Sequence, residues 1–242
     1  MDINHTRIDK FLANSGISAR RNISEVLKTH TVTINGKRVK EAGVRFDPNK
    51  DILLLDGKEI PAPSATYIIV NKPKGIISTA SDEFGRKTVL SLVRSKQRLY
   101  PVGRLDQDTT GLILLTNDGN LANRLTHPRY HIPKVYELTI RGSVPDAKLA
   151  HFRRGVKLED GMTAKAQAQV VQKAEKHTIV EVTLHEGKKR QIRRMCEVLR
   201  LPLVALRRIQ IGSISLGDLQ EGAQRNLTEE ELESLKKAAN LV

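Results

Sequence analysis

Residues 61–65 read Pro61-Ala62-Pro63-Ser64-Ala65, and this short stretch constrains the fold most. Each proline fixes its own φ and has no amide hydrogen to donate, so neither a helix nor a central strand continues through the pair. The chain is therefore expected to divide into a module over residues 1–60, a stiff linker over 61–65, and a larger domain over 66–242.

The first module mixes helix and strand. Ile8, Phe11 and Leu12 fall at helical spacing, and Asn14-Ser15-Gly16 ends that helix. Ser18 is placed to cap a second helix with Ala19, Ile23, Val26 and Leu27 on one face. Thr31-Val32-Thr33-Ile34 alternates as a strand into Asn35-Gly36, a strong hairpin signal, and Ile52 to Leu55 with Asp56-Gly57 repeats the pattern.

Beyond the prolines, strand patterns cover Tyr67 to Val70, Leu112 to Leu115, Val135 to Ile140 and Thr178 to Leu184. The last two alternate, as half-buried antiparallel strands do, which makes the class α+β and excludes a doubly wound parallel sheet. Thr228-Glu229-Glu230-Glu231 has the form of a capping box opening a C-terminal helix.

Charge narrows the partner. The chain carries 41 Lys and Arg against 27 Asp and Glu, a net charge of +14, which draws it to a polyanion. Residues 188 to 208 hold eight Lys or Arg against Glu197 alone, so half of that excess lies in one short segment. Within it Ile192, Met195, Cys196 and Leu199 make an apolar helical stripe, and Arg190, Arg193 and Arg194 project elsewhere, as a phosphate-contacting surface requires. Residues 1–60 are more weakly basic, with Arg7, Lys10, Arg20 and Arg21 beside the helices and Lys37-Arg38 after the hairpin turn.

Cys196 is the single cysteine, which excludes a disulfide framework and a cysteine-rich metal site. Its place in the apolar stripe suits a buried thiol. The opening residues, Met1 to Thr6, lack the apolar stretch of a signal peptide, and no apolar run reaches membrane-spanning length. A cytoplasmic location, with no membrane contact, is the expectation.

Gly103-Arg104-Leu105-Asp106-Gln107-Asp108-Thr109-Thr110-Gly111 runs as a polar loop into the buried strand Leu112-Ile113-Leu114-Leu115, which Asp118-Gly119 closes as a turn. Loops held against rigid strands are common seats of chemistry. The residues themselves leave two readings of Asp106 open, a catalytic carboxylate or a cap on backbone amides, and the cap is the commoner.

The loop resembles the catalytic motif of the pseudouridine synthases, in the branch that modifies ribosomal RNA and carries Gly-Arg-Leu-Asp. Three further segments resemble that family in order: Asn71-Lys72-Pro73-Lys74-Gly75, Lys134-Val135-Tyr136, and the run His185 to Met195. Residues 7 to 60 resemble the S4-type RNA-binding module that precedes the catalytic domain in this branch. The resemblance implies isomerisation of a uridine flipped out of the RNA, with no metal, redox or nucleotide cofactor. It implies Asp106 as the catalytic carboxylate, Arg193 as its cationic partner with Arg194 second, and Tyr136 as a platform for the base. RNA contacts are expected from Arg104, Lys72, Lys188, Arg190, Gln191 and Arg194, and from Arg7, Lys10, Arg20, Arg21, Lys37 and Arg38 in the first module. Asp108 is expected to hold the loop together.

The expected partner is ribosomal RNA, within a precursor subunit or free, bound by a monomer. Ser81-Asp82-Glu83-Phe84-Gly85-Arg86-Lys87-Thr88, His127-Pro128-Arg129-Tyr130 and Arg190-Gln191-Ile192-Arg193-Arg194 look more like the enzymes of large-subunit (23S) rRNA than those of 16S rRNA. A non-catalytic ribosome-assembly factor is the alternative from another class. A nuclease is disfavoured, because the seven histidines form no compact cluster and only His127 and His131 are close in sequence, as ordinary loop residues.

Overall fold

The computed structural model describes residues 5–242; the start of the chain read above for a leader, Met1 to Asn4, lies outside them. The chain forms two compact units. The first runs to Thr66 and takes in Ser95–Leu99; the second comprises Tyr67–Arg94 and Tyr100–Val242. The inclusion of Ser95–Leu99 in the first unit is signalled by nothing in the local sequence pattern.

In the first unit, helix α1 (Ile8–Asn14) and helix α2 (Ile23–Thr29) pack against strands β1 (Val32–Ile34), β2 (Lys37–Arg38), β3 (Leu53–Leu55) and β4 (Lys58–Glu59). The strands pair in the order β2-β1-β3-β4. Asn35 and Asp56 adopt φ near +49 and +48, and Gly36 and Gly57 both +78, so each turn takes the left-handed pair of conformations that matches strand twist. Ile8, Leu12, Ile23, Leu27, Val32 and Phe46 form the buried core. The Ser18 cap does not occur: a single 3-10 turn, Arg20–Asn22, precedes α2, whose N-cap is Asn22 without a side-chain bond.

Among the described residues, the second unit is built on a nine-stranded sheet. Its seven-strand path uses β5 (Tyr67–Lys72), β6 (Thr110–Thr116), β7 (Lys134–Arg141), β8 (Gln167–Lys173), β9 (His177–Leu184), β10 (Leu203–Ile211) and β11 (Gln224–Asn226). The order is β8-β9-β7-β10-β6-β5-β11. Each neighbour along this path is antiparallel except one: β10 and β6 run parallel and meet only at Arg207–Thr110 and Arg208–Gly111. That junction divides the sheet into two halves, as α+β patterning with few parallel pairs allows.

Each half has its own core. On β7, β8, β9 and β10, inward-facing residues Leu138, Ile140, Ala168, Val180, Val182 and Leu206 pack under α4 (Asp146–Arg154) and α5 (Gln191–Val198). The predicted stripe Ile192, Met195 and Cys196 is the face of α5 that they bury. On β5 and β6, Ile69, Leu112 and Leu114 pack against Leu121 and Leu125 of α3 (Gly119–Thr126) and Leu235 of α6 (Glu229–Ala238). Each fully buried Leu contributes about 2 kcal/mol relative to exposure. Thr228 and Glu231 form the expected reciprocal capping box on α6. Asp118-Gly119, read as a turn, instead opens α3, with Asp118 accepting from Asn120 and Leu121 amides. No helix of the described residues is long and apolar enough to cross a membrane.

Candidate active site

The loop from Gly103 to Thr109 enters β6 at the junction of the two half-sheets. At Gly111 the backbone takes φ +102, and a Cβ there would stand 2.2 Å from the Arg208 carbonyl oxygen. Only glycine lets β6 pass this close to β10.

The loop is tied down from two sides. Lys72, at the end of β5, is fully buried, and its ammonium donates to the carbonyls of Pro73 at 2.9 Å, Ile76 at 2.7 Å and Gln107 at 3.3 Å. Burial pushes its amine down to about 8, against the opposing pull of Asp108 and Asp106. From α5, Arg193 Nη2 donates to the Asp108 carbonyl at 3.0 Å and to the Thr109 hydroxyl at 3.3 Å, while Nη1 lies 3.3 Å from the Asp108 carboxylate. Arg190, in the left-handed conformation at φ +49, adds a second bond to that carboxylate at 3.4 Å. Asp108 therefore does the structural work expected of it.

Beside this scaffold lies a cleft of about 420 Å³ lined by Arg104, Asp106, Tyr136, Lys188, Lys189, Arg190 and Gln191, over an apolar floor of Leu184, Ile192 and Leu206. Asp106 and Tyr136 are half-buried and Arg104 is exposed. Among the described residues the Asp106 carboxylate makes no ion pair or hydrogen bond, so it is open to whatever enters. Tyr136 comes from β7, where its alternation with Leu138 turns the ring onto the same side as the α5 helix.

Several sequence expectations need correction. The structure does not pair Arg193 with Asp106; the Asp108 carboxylate, its carbonyl and the Thr109 hydroxyl occupy the guanidinium. Arg194 bonds Asp160 at 2.9 and 3.1 Å. Lys72 is too deeply buried to touch a ligand. Gln191 lines the cleft, but its amide is committed: it donates to Glu186 at 2.6 Å and accepts from the Lys188 amide at 3.1 Å. Lys189, counted only as part of the basic run, belongs to the lining.

In the first unit, Arg7 and Arg20 converge on Asp9 at 3.0 and 3.1 Å. Burial raises the Asp9 carboxyl, but the hydrogen bonds from Arg20 and Arg7 outweigh it and hold the group below its ordinary value. Those two guanidinium groups remain largely exposed on their outer sides, and Arg21, Lys37 and Arg38 lie on the surface, with Lys10 half-buried. The thiol of Cys196 is buried and pushed up to about 12 by burial, which makes it inert. Among the described residues no group of three His, Cys, Asp or Glu could hold a metal ion.

One open carboxylate, one aromatic ring and several cations around a shared cleft make an enzyme site suited to a polyanionic substrate. Residues 66–198 match the family described as RNA pseudouridylate synthase, and the chain belongs to that family of isomerases. It is 39% identical to the ribosomal large subunit pseudouridine synthase B of Bacillus subtilis, over 97% of both chains. It is 34% identical to the ribosomal small subunit pseudouridine synthase A of Vibrio cholerae, over 96% of this chain and all of that one. A solved pseudouridylate synthase, 32% identical, superposes with a TM-score of 0.67 over 95% of this chain and 99% of its own.

Proposed function

We propose that the protein converts a specific uridine of large-subunit (23S) ribosomal RNA to pseudouridine, with Asp106 as the catalytic carboxylate. The observation that carries this reading is the Asp106 carboxylate, unpaired in a cation-lined cleft and facing the same space as Tyr136. The reaction breaks the C1′–N1 bond of the nucleotide, turns the uracil and joins C5 to C1′. The C5 proton leaves and N1 is protonated, so no atoms are gained or lost. Positive charge builds at C1′ as the bond breaks, and a carboxylate beside that carbon stabilises or captures it.

Tyr136 stacks on the extruded base, while Arg104, Lys188, Lys189 and Arg190 answer its phosphates. Arg193 acts through Asp108 and Thr109, fixing the loop that aims Asp106. The exposed basic residues of the first unit supply further backbone contacts, in the manner of an S4-type module. A monomer acting in the cytoplasm, on free rRNA or a precursor subunit, fits this scheme. The relatives named above support ribosomal RNA as substrate, and the greater identity to the large-subunit enzyme favours 23S.

The test is to map pseudouridines in the rRNA of cells lacking this protein, then complement with wild type or Asp106→Asn. One 23S site should vanish, return with wild type and stay absent with the variant. A site restored by Asp106→Asn would make the chain an assembly factor and not the catalyst. A lost site in 16S rRNA would move the assignment to the other subunit.

A further inference from the structure

The cleft does not account for the loop between Ser78 and Thr88. Its base is closed by a bridge between Ile77 and Thr88, with the Ile77 amide donating to Lys87 at 3.1 Å and the Val89 amide to Ile77 at 2.9 Å. Buried Ser78 bonds Leu105 in both directions: its hydroxyl donates to the Leu105 carbonyl at 2.9 Å and accepts from the Leu105 amide at 3.1 Å. Leu105 directly precedes Asp106, so this loop is rooted on the segment that carries the proposed catalytic group.

Inside the loop, the Asp82 carboxylate accepts from the amides of Phe84 at 3.1 Å and Arg86 at 2.8 Å, and pairs with the Arg86 guanidinium at 2.6 Å. Gly85 takes φ +70 to allow the turn. The outcome is a built loop that displays an aromatic ring. Phe84 is 82% exposed, whereas the other three phenylalanines, Phe11, Phe46 and Phe152, are 5%, 2% and 0% exposed. The Arg86 guanidinium lies 5.2 Å from the Phe84 ring centroid, and Lys87 and Lys74 are exposed nearby in sequence.

A solvent-facing ring with cations beside it suits a ligand that offers both a flat π surface and negative charge. Nucleobases with their phosphates do, and stacking on them tolerates any sequence. Extruding a nucleotide also leaves neighbouring bases without a stacking partner, and an inserted side chain can replace it. We propose that Phe84 is a substrate-positioning residue that stacks on a nucleobase adjacent to the extruded uridine, with Arg86 and Lys87 beside the flanking phosphates. This inference rests on the rRNA reading above.

The experiment compares wild type with Phe84→Ala, Phe84→Leu and Phe84→Tyr on protein-free 23S and 16S rRNA transcripts, following pseudouridine formation and ultraviolet crosslinking. Phe84→Ala and Phe84→Leu should each lower kcat/KM roughly tenfold, the scale of one lost base stack. Phe84→Tyr should retain activity, and a nucleotide adduct should map to the peptide carrying Phe84. Wild-type activity in Phe84→Leu, or no adduct at that peptide, would overturn the proposal. A defect seen in cells but absent with protein-free RNA would assign the ring to a protein partner and overturn it as well. If wild type modifies neither RNA, whether as a transcript or within precursor subunits from cells lacking the protein, the rRNA reading fails, and the crosslink then decides Phe84 separately: an adduct upholds the contact and its absence ends it.

Discussion

Arg193 grips Asp108 by both its carboxylate and its main-chain carbonyl, and leaves Asp106, two residues earlier, unpaired. The Arg193 side chain is only 13% exposed and that of Asp108 37%, so the pair is shielded from water mainly on the arginine side. A guanidinium bound this way restrains the backbone of the loop as well as neutralising one of its acids.

Arg193→Ala is expected to lower kcat by about a hundredfold or more through loss of loop position, and Arg193→Lys to restore little, because an ammonium cannot span two acceptors in a fixed fork. Single-turnover kinetics on rRNA measure this. Asp108→Asn combined with Arg193→Ala should cost clearly less than the two changes added, with a coupling of about 1–3 kcal/mol. Additive losses would mean that the two side chains act independently.

Lys72→Met should reduce stability and catalysis while leaving RNA affinity close to wild type. Methionine fills the volume but abandons the carbonyls of Pro73, Ile76 and Gln107, a loss of about 2–4 kcal/mol for a site this buried. Urea denaturation and a binding titration separate the two effects. Weakened affinity with unchanged stability would show that the lysine reaches the RNA.

Lys134 gives a pH dependence with a defined sign. Burial, and then the charge of Arg208, push its amine down to about 8. From there to the free-lysine value near 10.4 the unfolded chain binds a proton that the folded chain lacks, so this group makes stability rise with pH across that window. Below about pH 8 both states are protonated and the folded chain carries the full cost. Lys134→Met removes that cost but also the bond from the ammonium to the Ile132 carbonyl at 3.1 Å, so it should stabilise the protein by only about 1 kcal/mol near neutral pH. That advantage should shrink towards pH 10 in paired denaturation curves; an advantage that grows would contradict the argument.

Gly111→Ala is expected to be the most damaging single methyl in the molecule. It combines a left-handed backbone with a 2.2 Å approach to a carbonyl oxygen of the neighbouring strand, so β6 must separate from β10. A fall in melting temperature of many degrees, with loss of activity in the soluble fraction, is the expected result. Normal stability would mean that the strands can part at little cost.

Much of this was legible in the chain because it is written in local patterns. The alternation in Val135 to Ile140 and Thr178 to Leu184, the Asn35-Gly36 turn and the Thr228–Glu231 box each depend on residues a few positions apart, and each formed as read. The family motifs led to Asp106, Tyr136, Arg104 and Arg190, which the fold brings to one cleft. What failed was assignment of partners across long separations. Lys72 reads as a basic surface residue until β5 is seen to run beneath the loop, and Arg193 has two acids within its reach that sequence cannot rank. Ser18 failed for a local reason, since a 3-10 turn intervenes before α2. Phe84 gave no periodic signal, as an exposed ring in a loop belongs to no face.

The two-residue parallel contact between β6 and β10 also sets when the site can exist during synthesis and folding. Asp106 belongs to one half-sheet, while Tyr136 and the cations Lys188, Lys189 and Arg190 that lead into α5 belong to the other, and residues 207 and 208 complete the join. Parallel pairing over nearly a hundred residues of separation is a slow, late event compared with the hairpins on either side. A nascent chain that has not yet released β10 from the ribosome thus carries every proposed catalytic side chain and still has no active site.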